Sequence, residues 1–198
     1  MYNCRRKGGA HVFTVILTGG SSRRMGRDKA MLPFGGGTLL QTLIDRYQAL
    51  GPVGVSVDRS GRFPFCGAVE LPDVFPGQGP MNGIVSGFRE MKEEVLLLTA
   101  VDLPYGDLSL ALRLSALRSN ADACIVRRGK EEIEPLFAVY SRACLPIAED
   151  CLANGKRSLR ALLDSVSVRF VQPEELPGFD LERIFLNVNT PEEYRRLK

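Results

Sequence analysis

A chain of 198 residues, 44% of them hydrophobic and 25% charged, can bury one good core and predicts a single domain. Its formal net charge of +3 is too small for a nucleic-acid footprint, and its longest apolar run, 95–101, is far too short to cross a bilayer. Five cysteines without a C-x-x-C pair argue against a disulfide framework and a zinc site. Buried free thiols are expected instead, Cys144 and Cys151 sharing a helix face.

Residues 1–10 are basic but lack a secretory apolar core, so a flexible tail is expected ahead of one domain over 11–198, in a cytoplasmic protein. The single histidine, His11, stands just before the first apolar run and is a poor candidate for a catalytic base. Val12-Phe13-Thr14-Val15-Ile16-Leu17 reads as a buried parallel strand. It runs into Thr18-Gly19-Gly20-Ser21-Ser22-Arg23-Arg24-Met25-Gly26-Arg27-Asp28-Lys29. Glycines let backbone N–H groups close on a phosphate, while the arginines and lysine bring charge, so this loop predicts a triphosphate site. It is neither of two familiar phosphate loops. Arg27 follows Gly26 where a Walker loop needs Lys, and Gly19-Gly20-Ser21 does not spell the dinucleotide fingerprint. The basic residues cluster at 23–29, 127–130 and 156–160, which suits a small polyanion.

A helix is expected over 38–50, opened by Gly35-Gly36-Gly37 with Thr38 as N-cap, then strands at 53–57 and 69–71. The glycine-rich loop 72–80 leads to a helix at 81–91 and a central strand at 95–101. Further helices are expected at 108–119, 143–153 and 158–164, with strands at 123–127 and 136–140 and an edge strand at 166–171. Residues 178–189 read as a connection with a brief extended piece, and Thr190-Pro191 opens a last helix. The alternation predicts a doubly wound, mostly parallel α/β sheet.

Two more constellations carry chemistry. Asp102 closes the central strand, at the strand end where open α/β sheets bind ligands. Its carboxylate could hold Mg²⁺ beside substrate phosphates or cap the following helix. Asp73, with Gly77-Gln78-Gly79-Pro80-Met81-Asn82-Gly83, could offer an acceptor to a base or ribose, or form a long surface turn.

Together these motifs resemble the molybdenum cofactor guanylyltransferases. The resemblance is carried by Leu17-Thr18-Gly19-Gly20 with Arg24-Met25-Gly26 and Asp28-Lys29, by Asp73 with Gly79-Pro80-Met81-Asn82-Gly83-Ile84, and by Val101-Asp102-Leu103-Pro104. Glu134-Pro135-Leu136-Phe137-Ala138, Asn154-Gly155-Lys156-Arg157 and Asn187-Val188-Asn189-Thr190-Pro191 continue it in order to the C-terminus. The chain departs from the family pattern at Thr18 (usually Ala), Val101 (often Cys) and Asp58 (often Asn).

The resemblance implies a nucleotide-diphospho-sugar transferase type of Rossmann-like sheet and transfer of GMP from GTP to molybdenum-loaded molybdopterin, with Mg²⁺ as cofactor. It implies that Lys29, Arg24 and Asp102 carry catalysis, with Asp102 on the metal. It implies nucleotide contacts from Leu17, Thr18, Gly19, Gly20, Lys29, Asp58, Asp73, Gly79, Gly83 and Asp102. Arg157, Asn187 and Asn189 would face the pterin, although the asparagines could equally cap their loop. Partners would be the two substrates and, in passing, the proteins that deliver and receive the cofactor, with no nucleic acid or membrane. A cytidylyltransferase on the same cofactor, a sugar-1-phosphate nucleotidyltransferase and a non-catalytic GTP-binding accessory protein are the competing readings.

Overall fold

The computed structural model describes residues 12–19, 28–64, 66–130 and 132–197. The expected tail and His11 lie outside them. The strands are β1 (Val12–Leu17), β2 (Pro33–Phe34), β3 (Gly37–Thr38), β4 (Val53–Val57), β5 (Val69–Pro72), β6 (Val95–Ala100), β7 (Ala123–Val126), β8 (Ala138–Ser141) and β9 (Val168–Val171). The helices are α1 (Leu39–Tyr47), α2 (Met81–Glu90), α3 (Leu108–Leu117), α4 (Cys144–Ala153), α5 (Leu159–Leu163), α6 (Leu181–Ile184) and α7 (Pro191–Arg195).

Seven strands form one sheet in the order β5-β4-β1-β6-β8-β7-β9. Only β8 runs against its neighbours, so the sheet is mostly parallel, as the alternating pattern predicts. Strand β1 is buried throughout because both faces are covered. Val12 and Ile16 pack with Leu40, Leu43, Ile44 and Tyr47 of α1 and Leu110 and Leu114 of α3. Phe13, Val15 and Leu17 pack on the other side with Ile84 and Phe88 of α2 and Cys151 of α4. The chain leaves β1 toward β4 and β5, then returns to the far side of β1 as β6. That reversal opens a crevice at the carboxyl ends of β1 and β6, the ligand position of doubly wound sheets.

Helix caps follow their chemistry. Thr38 accepts from Gln41 N, Ser158 from Ala161 N, and Thr190 forms a capping box with Glu193. Three expectations change. Gly35 and Gly36, both with left-handed φ, turn the hairpin β2–β3 rather than merely opening the helix. Residues 178–189 contain the helix α6, capped by Asp180, and no strand. Strand β8 starts later than expected because Phe137 N donates back to Glu134 O, closing a turn over its first residues. The edge position of β9 is as expected. Cys66, Cys124, Cys144 and Cys151 are free and buried, and burial pushes the Cys124 thiol to about 11 and the Cys144 thiol to about 12, so neither is a nucleophile at neutral pH. Among the described residues no helix is long and apolar enough to cross a membrane.

Candidate active site

A cleft of about 480 Å³ opens where the sheet reverses. Leu17 and Gly19 from the end of β1, Ala100 and Asp102 from the end of β6, and Ser56, Val57 and Asp58 from the end of β4 line it. Asp73, Gly77, Gly79, Pro80 and Leu136 complete the wall. Segments far apart in sequence are therefore gathered by topology alone.

Among the described residues, Lys29 is the buried cation beside the cleft. Asp28 accepts from Ala30 N and so starts a 3-10 turn that aims the lysine inward. Its Nζ lies 2.7 Å from Asp102 Oδ1 and donates to Asn189 Oδ1 at 3.3 Å. Asp102 does not cap the following helix; Asp107 does, accepting from Leu110 N at 2.8 Å. The backbone of Asp102 is fixed from the other side, its carbonyl accepting from Val188 N. The Asn187-Val188-Asn189 segment thus belongs to this corner, and Asn189 stands beside Lys29.

Asp73 is half-buried and accepts weakly from Ser56 Oγ at 3.4 Å. Burial holds its carboxyl above the ordinary aspartate range, and nearby Asp58 adds to the rise. The loop behind it is pinned by two side chains one turn apart on α2. Asn82 accepts from Phe75 N and donates to Phe75 O, and Ser86 Oγ donates to Pro72 O. Gly79 needs its left-handed φ of 80°, and a side chain there would press on the Arg157 carbonyl, 3.3 Å from its Cβ. Helix α2 then starts at Met81 with the cleft-lining Pro80 as its N-cap and no side-chain cap, so its positive end lies at the cleft wall.

Most of the expected nucleotide residues meet here: Leu17, Gly19, Asp58, Asp73, Gly79 and Asp102 line one cleft, with Lys29 on Asp102. Gly20 and Arg24 lie outside the described residues. Two candidates stand elsewhere. The Thr18 side chain is buried and donates to Ser56 O at 2.6 Å, tying β1 to β4 instead of facing the cleft. Gly83 is buried on α2 with its Cα against Leu17, where an added Cβ would come within 2.4 Å of Leu17 Cδ2. It lets the helix approach the strand and reaches the cleft only through Leu17. Arg157 and Asn187 are exposed, and Arg157 adjoins the Gly79 turn while Asn189 adjoins Lys29. Sequence reading missed Ser56, a small polar residue in an apolar strand, and quoted Asn82 in a motif without seeing that this second residue of α2 pins the loop before it. It also missed Arg128, which pairs with Glu134 at 2.6 Å and fixes the turn that presents Leu136.

Among the described residues no three His, Cys, Asp or Glu side chains converge as a metal cage. A divalent ion here would take most ligands from phosphates and water, as Mg²⁺ does at nucleotide sites. Asp102 fits that part, since its carboxylate opens into the cleft and already holds a cationic group, the Lys29 ammonium.

A sheet-reversal cleft lined by an aspartate paired to a buried lysine and by a glycine-turned loop suits a nucleotidyltransferase, and the family match makes the chain one. The sequence model of the MobA-like NTP transferase domain matches residues 14–170, and the chain belongs to that family. A probable molybdenum cofactor guanylyltransferase of Carboxydothermus hydrogenoformans is 32% identical over 184 residues, spanning 92% of this chain and 93% of that protein. A molybdenum cofactor guanylyltransferase of Syntrophotalea carbinolica is 33% identical over 189 residues, 92% of this chain and 88% of its own. The crystal structure of molybdopterin-guanine dinucleotide biosynthesis protein A from Archaeoglobus fulgidus superposes with a TM-score of 0.81 at 24% identity, covering 93% of this chain and 96% of that one. A 2-C-methyl-D-erythritol 4-phosphate cytidylyltransferase from Thermus thermophilus superposes with a TM-score of 0.67 at 16% identity, covering 92% and 95%. The two structures share the fold.

Proposed function

We propose that the enzyme transfers GMP from GTP to the terminal phosphate of molybdopterin carrying molybdenum, forming the guanine dinucleotide cofactor and pyrophosphate. Relatives at about a third identity over nearly the whole chain are named as a probable molybdenum cofactor guanylyltransferase and a molybdenum cofactor guanylyltransferase. The observation that supports it most directly is the Lys29–Asp102 pair at the cleft, a cation for a triphosphate beside a carboxylate for its counter-ion.

The acceptor phosphate is an anion and attacks the α-phosphorus itself, so the protein needs no covalent nucleophile. Catalysis is then positioning and neutralisation of charge. Gly19 and Gly20 offer backbone N–H groups to the phosphates. Lys29 and Arg24 balance the charge of the triphosphate and the departing pyrophosphate. Asp102 would hold Mg²⁺, which when bound offsets phosphate charge. Asp73 and Asp58 accept from nucleoside N–H or O–H groups, with Leu17 and Gly79 forming the surrounding wall. Arg157, Asn187 and Asn189 take the pterin side, Asn189 joining the two halves through its contact with Lys29. The reading carries with it a cytoplasmic location and transient hand-over to the proteins that supply and receive the cofactor.

The test is pyrophosphate release with Mg²⁺ and molybdenum-loaded molybdopterin, offering GTP, CTP and UTP in parallel. Release with GTP alone is expected. Release with CTP alone would keep the chemistry and overturn the base, and tight GTP binding with no release would make the protein an accessory binder.

A further inference from the structure

The loop after β4 is built around a residue that no motif singles out. Glu70, on β5, accepts the backbone N–H groups of Gly61 and Phe63, and these contacts hold its carboxyl below the usual range. Gly61 takes the left-handed φ of 78° that such a turn needs, and Phe63 is buried in the core. Arg62, between them, is therefore presented on a fixed backbone with its guanidinium over the Phe63 ring at 4.9 Å. Its two terminal nitrogens go to two different carboxylates. Nη2 donates to Asp28 Oδ2 at 2.8 Å, and Nη1 donates to Asp58 Oδ1 at 3.2 Å.

Both carboxylates matter to the cleft. Asp28 is the last residue before Lys29, and its other oxygen caps the turn that aims the lysine. Asp58 lines the nucleotide cleft beside Asp73. A planar fork with separate donors holds both in one fixed geometry, where a lysine's ammonium would bond them without fixing their relative direction. The Arg62 side chain is only 22% exposed and that of Asp28 31%, so the Asp28 half of the link is better shielded than an ordinary surface pair, whereas the Asp58 carboxylate is 67% exposed. It also offsets two negative charges next to a site that must accept a polyphosphate.

We propose that Arg62 is a positioning residue that joins the end of the phosphate loop to the nucleoside side of the cleft, setting Lys29 through Asp28 and orienting Asp58. It rests on the reading of this cleft as the nucleotide site and adds to it a residue far from every phosphate-binding motif. Arg62 makes no contact with Arg157, Asn187 or Asn189, and it reaches the pterin side only at second hand, through Lys29 and Asn189.

The experiment compares the wild-type enzyme with Arg62→Ala, Arg62→Lys, Asp58→Asn and the Arg62→Ala/Asp58→Asn double variant. It reads kcat, the KM for nucleotide, the KM for molybdopterin and the melting temperature. Arg62→Ala is expected to raise the nucleotide KM about tenfold, the scale of losing a partly shielded pair of charge-assisted bonds. The molybdopterin KM rises less than the nucleotide KM, because Arg62 touches the nucleotide side directly and the pterin side only through Lys29 and Asn189. Arg62→Lys falls between, and Arg62→Ala costs less on the Asp58→Asn background because the two share one contact. An unchanged nucleotide KM, or equal rises in both KM values tracking a lower melting temperature, overturns the proposal. Direct Mg-nucleotide binding by wild type and Arg62→Ala is measured alongside with GTP and CTP. If the wild type turns over CTP alone or neither nucleotide, the guanylyl reading fails, while the affinity ratio between the two proteins still decides the role of Arg62. If wild type binds neither nucleotide, both readings fall.

Discussion

Gly83→Ala separates a glycine that touches nucleotide from one that shapes its site. The new Cβ would stand 2.4 Å from Leu17 Cδ2, with Val15 Cγ1 and Leu98 Cδ1 at 3.4 and 3.5 Å, close to ordinary contact. Only the far end of Leu17 must move. Overpacking of this kind costs about 1–3 kcal/mol, while replacing glycine by alanine inside a helix returns about 1 kcal/mol. The net is a loss of about 1 kcal/mol, read as a fall in melting temperature of about 2–4 °C for a chain of this size. Because Leu17 lines the cleft, its displacement also raises the nucleotide KM. Gly87→Ala, one turn on, is the control. There the Cβ meets Val15 Cγ2 at 2.7 Å and Leu96 Cδ1 and Phe13 Cε2 at 3.1 Å, all core atoms away from the cleft. Val15 is β-branched and yields poorly, so the net loss rises to about 2 kcal/mol with the nucleotide KM unchanged. Thermal melts and steady-state kinetics on both variants decide the matter. A Gly83→Ala enzyme as stable as wild type with an unaltered KM would refute the account of α2 and Leu17.

Thr18→Val removes the buried hydroxyl that donates to Ser56 O and should cost about 1–2 kcal/mol in denaturant titration, with no new steric demand. Asp102→Asn should abolish Mg²⁺-dependent turnover while leaving the melting transition cooperative; retained turnover would remove Asp102 from the metal. Asp73 gives a pH signature. Its folded-state pKa is raised by burial, with Asp58 adding and hydrogen bonds from Ser56 and Asn82 opposing, so the folded state holds its proton more tightly than the unfolded chain. That contribution is present at low pH and is lost as pH rises through the folded-state value. Asp73→Asn should therefore gain stability relative to wild type across the range just above the ordinary aspartate pKa, measured by denaturation at a series of pH values; a constant difference would contradict it.

The fold was legible because the central strands are short apolar runs and several helices, though not α2 or α4, carry a side-chain cap. Val12–Leu17 and Val95–Ala100 stood out as apolar runs too short for a helix, and Thr38, Ser158 and Thr190 marked helix starts correctly. The hairpin at Pro33–Thr38 was hidden because two-residue strands leave no periodicity, and α6 because four residues do not complete a helical pattern. Of the site, the residues at strand ends were legible, since sheet topology dictates where Leu17 and Asp102 must lie. The direction a side chain takes was not: Thr18 and Gly83 stand inside the motifs yet face the core. Arg62 and Asn82 act by contacts across the loop, which no local pattern encodes.

The central claim is tested most directly by following the phosphates of labelled GTP. With molybdenum-loaded molybdopterin and Mg²⁺, label at the α-phosphate should appear in the dinucleotide cofactor and label at the γ-phosphate in pyrophosphate. Label at the γ-phosphate leaving as inorganic phosphate, or α-label remaining in free nucleotide while the protein stays saturated with GTP, would contradict guanylyl transfer.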